Sequence, residues 1–187
     1  MKKYLLSIMM AVVALSSCAG NSSRSEESGV RSENTPTTDI STDSSLQTTD
    51  SSSDLAPDFT LNDLNGKPLT LSSLRGKYVI LDFWGSWCGW CIKGFPQMKE
   101  YYQKYAGKFE ILGIDCNDPE AKWKAAVEKY ELPWLHVYCP RDSNVLDLYE
   151  IQGFPTKIIV GPDGKIVKTI IGEDPAFYTF LDELFKK

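Results

Sequence analysis

Cys88 and Cys91 stand three residues apart where an apolar strand meets a helix, and no other feature constrains the chain as much. Tyr78 to Phe83 reads as the strand. A helical stretch follows from about Gly89 to Ala106, with Pro96 as a kink and Gly107 as its stop. In a Cys-x-x-Cys at a helix start, the first sulfur faces the unpaired amides of the first turn. The second sulfur lies one turn in, close enough to bond the first. The amides and the helix dipole favour a thiolate on Cys88. A disulfide between the two can form and break with little backbone motion.

The rest of residues 55–187 reads as one folded α/β domain. Phe59-Thr60-Leu61 and Leu69-Thr70-Leu71 alternate around Asn65-Gly66, a hairpin signal. Phe109 to Asp115 is a second apolar strand. Asp118-Pro119-Glu120 reads as an N-cap with proline at the first helical position, opening a helix to about Tyr130. Trp134 to Tyr138 is a short strand, and Asn144 to Glu150 a short helix. Thr156 to Val160 and Lys165 to Ile171 flank a Pro162-Asp163-Gly164 turn. Asp174-Pro175 caps a final helix to about Phe185. Strand–helix alternation followed by a hairpin and a helix predicts a sheet with a mixed edge.

The surroundings of the motif are specific. Asp82-Phe83-Trp84-Gly85-Ser86-Trp87 leads into Cys88, and Gly153-Phe154-Pro155-Thr156 follows later. Together these segments resemble the thioredoxin superfamily. The lead hairpin and the extra helix–strand unit over 118–138 are similar to the TlpA/ResA group of membrane-tethered disulfide reductases. The resemblance covers nearly all of residues 55–187. It implies a thioredoxin-like three-layer fold with a central mixed sheet, an N-terminal β-hairpin and an inserted helix–strand unit. It also implies that Cys88 is the nucleophile and Cys91 the resolving thiol of a redox-active disulfide. Pro155 then matches the family's cis-proline, and Asp82 the buried acid that exchanges a proton with the resolving cysteine. Desolvation should raise the pKa of such an acid. Trp87, Gly89, Trp90 and Phe154 fall where substrate would bind, and Trp87 is expected to shield the disulfide.

The chain also departs from the family's pattern. The lysine that pairs with the buried acid in thioredoxin would fall near Ile111, so that partner is expected to be missing. Trp90 precedes Cys91 where thioredoxins have proline. Ile92-Lys93-Gly94-Phe95 carries no acid soon after the second cysteine, where the family often has one.

Thiolate formation alone explains little of the rate. If the Cys88 pKa dropped from about 8.5 to about 7, the thiolate fraction at neutral pH would rise roughly 16-fold. Nucleophilicity would fall roughly five-fold at a Brønsted slope near 0.45, for a net gain of about three-fold. A good leaving group, access and alignment by the cis-proline loop must supply the rest.

Cys116 and Cys139 each follow an apolar strand. A helix joins these strands, which predicts parallel neighbours through a right-handed crossover. Parallel neighbours lie about 4.8 Å apart, and disulfides accept Cα separations of about 4.4–6.8 Å. The geometry permits a second disulfide, and two buried free thiols are the alternative. Zinc held by Cys88 and Cys91 would need both of these cysteines to converge on a pair already committed to a helix start. His136, between Leu135 and Val137, reads as a core or edge histidine. Tyr101, Tyr102 and Tyr105 read as helix-face packing, and Trp84 as a packed core residue.

The N-terminal residues read differently. Lys2 and Lys3 precede an apolar run from Leu5 to Leu15 that is too short to span a bilayer, which needs about 20 residues. Residues 1–17 therefore read as a secretory signal. Leu15-Ser16-Ser17-Cys18 resembles the bacterial lipobox, which implies cleavage before Cys18 and lipidation of that residue. Residues 18–54 then form the lipidated cysteine and a tether. Ser and Thr make up 17 of the 36 residues from Ala19 to Asp54, and aromatics are absent. Such a segment cannot offset chain entropy by apolar burial and is expected to be disordered, with an end-to-end distance of roughly 30–36 Å.

The net charge is −5. No basic excess exists to neutralise a phosphate backbone, which argues against nucleic-acid binding. The expected protein is a monomeric, lipid-anchored thiol–disulfide oxidoreductase without cofactor or metal, facing outward from the cytoplasm. Its expected partners are disulfide-bearing exported proteins, with apocytochrome c a candidate, and a membrane thiol electron donor. Two other readings compete. A thiol peroxidase of the peroxiredoxin relatives would carry Thr three residues before its cysteine, where Gly85 stands. A copper-delivery protein would use a Cys-x-x-x-Cys spacing, one residue longer than here.

Overall fold

The hairpin forms where Asn65-Gly66 predicts it. Asp63 accepts from the backbone N–H groups of Asn65 at 2.8 Å and Lys67 at 2.9 Å, and Gly66 takes φ 76°. In this computed structural model, which describes residues 54–186, the turn joins β1 (Thr60–Asp63) to β2 (Pro68–Thr70). A 3₁₀ turn (Leu71–Leu74) leads to β3 (Tyr78–Trp84), which runs into α1 (Gly89–Lys104). Then come β4 (Phe109–Cys116), α2 (Glu120–Lys129), β5 (Leu135–Cys139) and the single turn α3 (Val145–Leu148). β6 (Thr156–Val160), β7 (Ile166–Ile171) and α4 (Pro175–Phe185) complete the chain.

The strands make one mixed sheet in the order β2-β1-β5-β4-β3-β6-β7. β3 lies between β4, parallel to it, and β6, antiparallel to it. β4 and β5 are parallel neighbours, as the intervening helix predicted. The fold is the expected thioredoxin-like one, with the hairpin joined to β5 and the α2–β5 unit inserted in the middle.

Residues of β3 are buried on both faces of the sheet. Ile80 and Trp84 join a core with Phe95 and Met98 of α1, Trp123 of α2, and Phe177 and Leu181 of α4. Val79, Leu81 and Phe83 join the opposite core with Leu71, Ile114, Val137 and Val145. Period-two alternation thus feeds two cores from one strand. Each fully buried large side chain contributes roughly 1.5–3 kcal/mol. β3 is therefore a rigid base for the loop that leaves its C-terminal end.

Two helix boundaries differ in an informative way. Pro119, not Asp118, is the N-cap of α2, and no side chain caps it. The Asp118 carboxylate is engaged elsewhere, by Ser86. At α4 the expected cap forms: Asp174 accepts from the Ala176 N–H at 2.8 Å, with Pro175 opening the helix. The expected secretory signal, the Cys18 anchor and all of the tether before Asp54 lie outside the described residues.

Candidate active site

The chain leaves β3 at Trp84 and reaches α1 within four residues. Cys88 is the N-cap of α1, in extended conformation, and its sulfur accepts from the Cys91 N–H at 3.1 Å. This is the amide contact that the helix start was expected to offer. Cys88 and Cys91 are joined as a disulfide, with S–S 2.04 Å and Cα–Cα 5.3 Å, and both are buried.

Several contacts hold the loop. The Cys88 N–H donates to the Gly85 carbonyl at 3.0 Å. Asp118 accepts from the Ser86 N–H at 2.6 Å and from the Ser86 hydroxyl at 2.8 Å. Trp87 donates its indole N–H to the Cys116 carbonyl at 3.0 Å. Gly85 is required beneath that indole. A Cβ there would run into the Trp87 ring and lie 2.9 Å from the Cys116 carbonyl oxygen.

The Phe154–Pro155 bond is cis, as the resemblance implied. Phe83 pairs with Thr156 in the sheet, so Pro155 sits at the end of β3 from which the cysteine loop departs. Phe154 packs edge-on against Trp87, ring centroids 5.1 Å apart, which ties the two segments directly. Trp87 is 51% exposed and Trp90 63%, with the Lys93 ammonium 4.4 Å above the Trp90 ring. These exposed aromatics form an apolar rim at the motif, where a polypeptide could lie.

Asp82 is buried on the face of the sheet that packs against α1. Burial pushes its carboxyl up to about 6, against the pull of Lys157, while Glu173 adds to the rise. The lysine that thioredoxin pairs with this acid is missing as expected, since Ile111 on β4 carries no charge. A different lysine stands on β3's other neighbour and forms its ion pair with Glu173. Lys157 on β6 is the register partner of Asp82, it is 1% exposed, and its ammonium lies 2.8 Å from Glu173.

His136 is buried between the rings of Trp84 and Trp134, and burial lowers its pKa to about 4, so it is neutral. Trp84 is fully buried. Tyr101 packs on Tyr178, Tyr102 on Trp134 and Tyr105 on Phe185. Cys116 and Cys139 lie on the parallel neighbouring strands that the sequence predicts and are register partners there, and both are buried free thiols rather than a disulfide. The neighbouring Cys139 thiol and burial push the Cys116 thiol up.

Asp118, Ser86, Lys157 and Glu173 escaped the sequence reading as site residues. The sequence carries a signal for Lys157: a lysine two residues after Pro155, directly before the apolar Ile158-Ile159-Val160, has to find a buried partner.

A reducible disulfide at the start of α1, beside a cis-proline and backed by a buried acid, is built for two-electron thiol–disulfide exchange. Fold and site define a thioredoxin-like thiol–disulfide oxidoreductase. The chain belongs to the AhpC/TSA family, whose model matches residues 53–169. It is 40% identical over 119 residues to thiol-disulfide oxidoreductase ResA of Bacillus cereus, covering 63% of this chain and 68% of that protein. Among solved structures, it matches the thioredoxin domain of a thiol-disulfide oxidoreductase from Bacteroides vulgatus with TM-score 0.65 and 35% identity. That match covers 70% of this chain and 95% of the other. A protein described as thiol:disulfide interchange protein DsbE, from Chlorobium tepidum, matches with TM-score 0.64 and 30% identity, over 70% of this chain and 92% of its own.

Proposed function

We propose that this oxidoreductase is anchored to a bacterial membrane through Cys18, faces outward from the cytoplasm and reduces disulfides in exported proteins. The observation that carries the chemistry is the Cys88–Cys91 disulfide at the α1 start, with Trp87, Trp90 and Phe154 around it. In the reducing direction, the Cys88 thiolate attacks a substrate sulfur, the substrate disulfide breaks, and the distal substrate sulfur leaves as a thiolate. Cys91 then loses its proton and attacks Cys88. The second substrate sulfur leaves and the protein is left oxidised. Two electrons pass to the substrate.

The lipobox-like Leu15-Ser16-Ser17-Cys18 supports the anchor. An oxidising compartment also demands a recharging donor, for which a membrane thiol carrier is the natural class. Apocytochrome c is one candidate substrate, as the resemblance of the motif segments to the TlpA/ResA group implies. The enzyme acts as a monomer with no cofactor. The peroxidase reading is disfavoured, because the position that would carry its Thr is Gly85, where any Cβ meets Trp87.

The decisive experiment is a Cys91→Ser trap in the full-length chain. Cys88 should hold its substrate as a mixed disulfide that mass spectrometry identifies. Trapping of cytoplasmic proteins alone in intact cells would refute the reading. Cell fractionation tests the anchor: wild type should be in the membrane fraction and Cys18→Ser in the soluble one. Unmodified wild-type protein in the soluble fraction would refute it.

A further inference from the structure

Behind Cys91 lies a buried acid–base–acid group that the Cys-x-x-Cys motif does not announce. Asp82 and Lys157 face each other across the antiparallel pairing of β3 and β6. Such partners have Cβ atoms about 4.5–5.5 Å apart. Lys157 is held 2.8 Å from one oxygen of Glu173, and the Tyr178 hydroxyl donates to the other at 2.9 Å.

Two close approaches place this group against the catalytic elements. The Glu173 carboxylate lies so near α1 at Gly94 that a Cβ there would run into it. Gly94 is one helical turn beyond Cys91, on the same side of α1. Glu173 also follows Gly172, whose N–H donates to the Pro155 carbonyl at 2.7 Å. The ion pair is therefore held between the cis-proline loop and the cysteine helix.

A buried ion pair is a weak stabiliser, because desolvation offsets most of its attraction. Its position beside an ionisable carboxyl suggests another use. We propose that Lys157 and Glu173 are positioning residues that set, in opposite directions, the proton affinity of Asp82 and with it the pH at which Cys91 becomes the resolving thiolate. The inference rests on Asp82 acting as the base for Cys91. The Cys91 thiol proton passes to the Asp82 carboxylate, and the thiolate attacks Cys88 in the mixed disulfide. The substrate sulfur leaves as a thiolate, and the proton on Asp82 is later lost to solvent. No electrons move beyond the exchange itself.

The other titratable groups around Asp82 are uncharged near neutral pH. His136 on β5, across Gly113 of β4, is neutral through burial. Burial and Glu173 hold Tyr178 of α4 protonated. Burial and Asp118 push the Asp115 carboxyl of β4 up to about 9. Cys116, also on β4, is a buried thiol pushed up. Cys91 of α1 is the proton donor. The ammonium of Lys157 favours the Asp82 carboxylate, and the Glu173 carboxylate opposes it.

The test is a pair of titrations on Lys157→Met, Glu173→Gln and the double variant. One follows the Asp82 side-chain carboxyl by carbon-13 NMR. The other follows, by stopped flow, the second thiolate released when reduced protein meets an aromatic disulfide. Lys157→Met should move both midpoints up by about one pH unit or more, Glu173→Gln should move both down, and the double variant should fall between. Shifts of both single variants in the same direction, or no shift of Asp82, would overturn the inference. If Asp82 shifts as stated but thiolate release does not, Asp82 is not the base for Cys91 and the link falls with that reading. Glu173→Gln keeps side-chain shape, so the inference stays testable if Lys157→Met fails to fold.

Discussion

The Asp118 carboxylate takes both polar hydrogens of Ser86, whose N–H and hydroxyl lie 2.6 and 2.8 Å away. Ser86 stands two residues before Cys88. Asp118 follows β4, and the Tyr138 hydroxyl of β5 donates to its carbonyl at 2.9 Å. The loop carrying the nucleophile is thereby tied to the ends of two neighbouring parallel strands. Asp118→Ala should cost about 1.5–3 kcal/mol, the range for hydrogen bonds to a charged group. Urea denaturation measures that loss. Activity per folded molecule should fall as well, because Cys88 is no longer held in register with Pro155. Asp118→Asn, which keeps acceptor capacity, should retain most of both.

Cys88→Ser should abolish reduction of insulin or of a model disulfide, since the attacking sulfur is gone. Cys91→Ser should permit attack and block release, so one equivalent of mixed disulfide accumulates. Turnover near wild type in either variant would refute a dithiol mechanism.

Asp82 carries a stability consequence whose sign follows from its raised pKa. Well below pH 3.8 the acid is protonated in both the folded and unfolded states, and its burial carries no charge penalty. As pH rises through the folded value of about 6, the unfolded chain ionises first and stability is lost. A rise from 3.8 to about 6 corresponds to roughly 3 kcal/mol at and above neutral pH. Asp82→Asn should therefore be more stable than wild type at pH 7.5, with the gap narrowing by pH 4, while Cys91 resolves more slowly. Denaturant unfolding of the oxidised proteins at the two pH values checks the first part. An equal gap at both would remove the linkage.

Trp90 is 63% exposed and packs mainly under Lys93. Trp90→Ala should change stability by less than about 0.5 kcal/mol, as for other exposed positions. If Trp90 grips polypeptide, KM for a protein disulfide should rise several-fold while the rate with a small aromatic disulfide holds. Equal effects on both substrates would mean that Trp90 acts through the cysteines.

Gly85→Thr tests why the loop has no side chain before Ser86. A Cβ would displace the Trp87 indole from the Cys116 carbonyl and from Phe154. Reduced activity and altered Trp87 fluorescence are expected, and no peroxidase activity should appear in exchange.

Much of the fold was legible because its signals are local. Asn65-Gly66 specifies a turn through backbone conformation, Asp174-Pro175 a helix start through a cap, and Cys88–Cys91 a dithiol through helix pitch. β3 announced itself by an apolar run with one acid inside it, and β4 and β5 by the helix between them. All of these rest on interactions within a few residues, so reading along the chain finds them.

Tertiary structure alone decided the supporting contacts. Ser86 and Asp118 are 32 residues apart, and Asp118 was misread as a helix cap because its local context is that of a cap. Ile111 on β4 leaves Asp82 without thioredoxin's lysine, yet a central strand has two neighbours, and the charge of Lys157 comes from β6. Glu173 reaches α1 because Gly94 leaves room for it. The sequence by itself determined which sulfurs react and which strand and helix present them. Strand order and register decided which charges surround the acid behind them, because a buried charge responds to whatever lies within a few ångströms, at any distance along the chain.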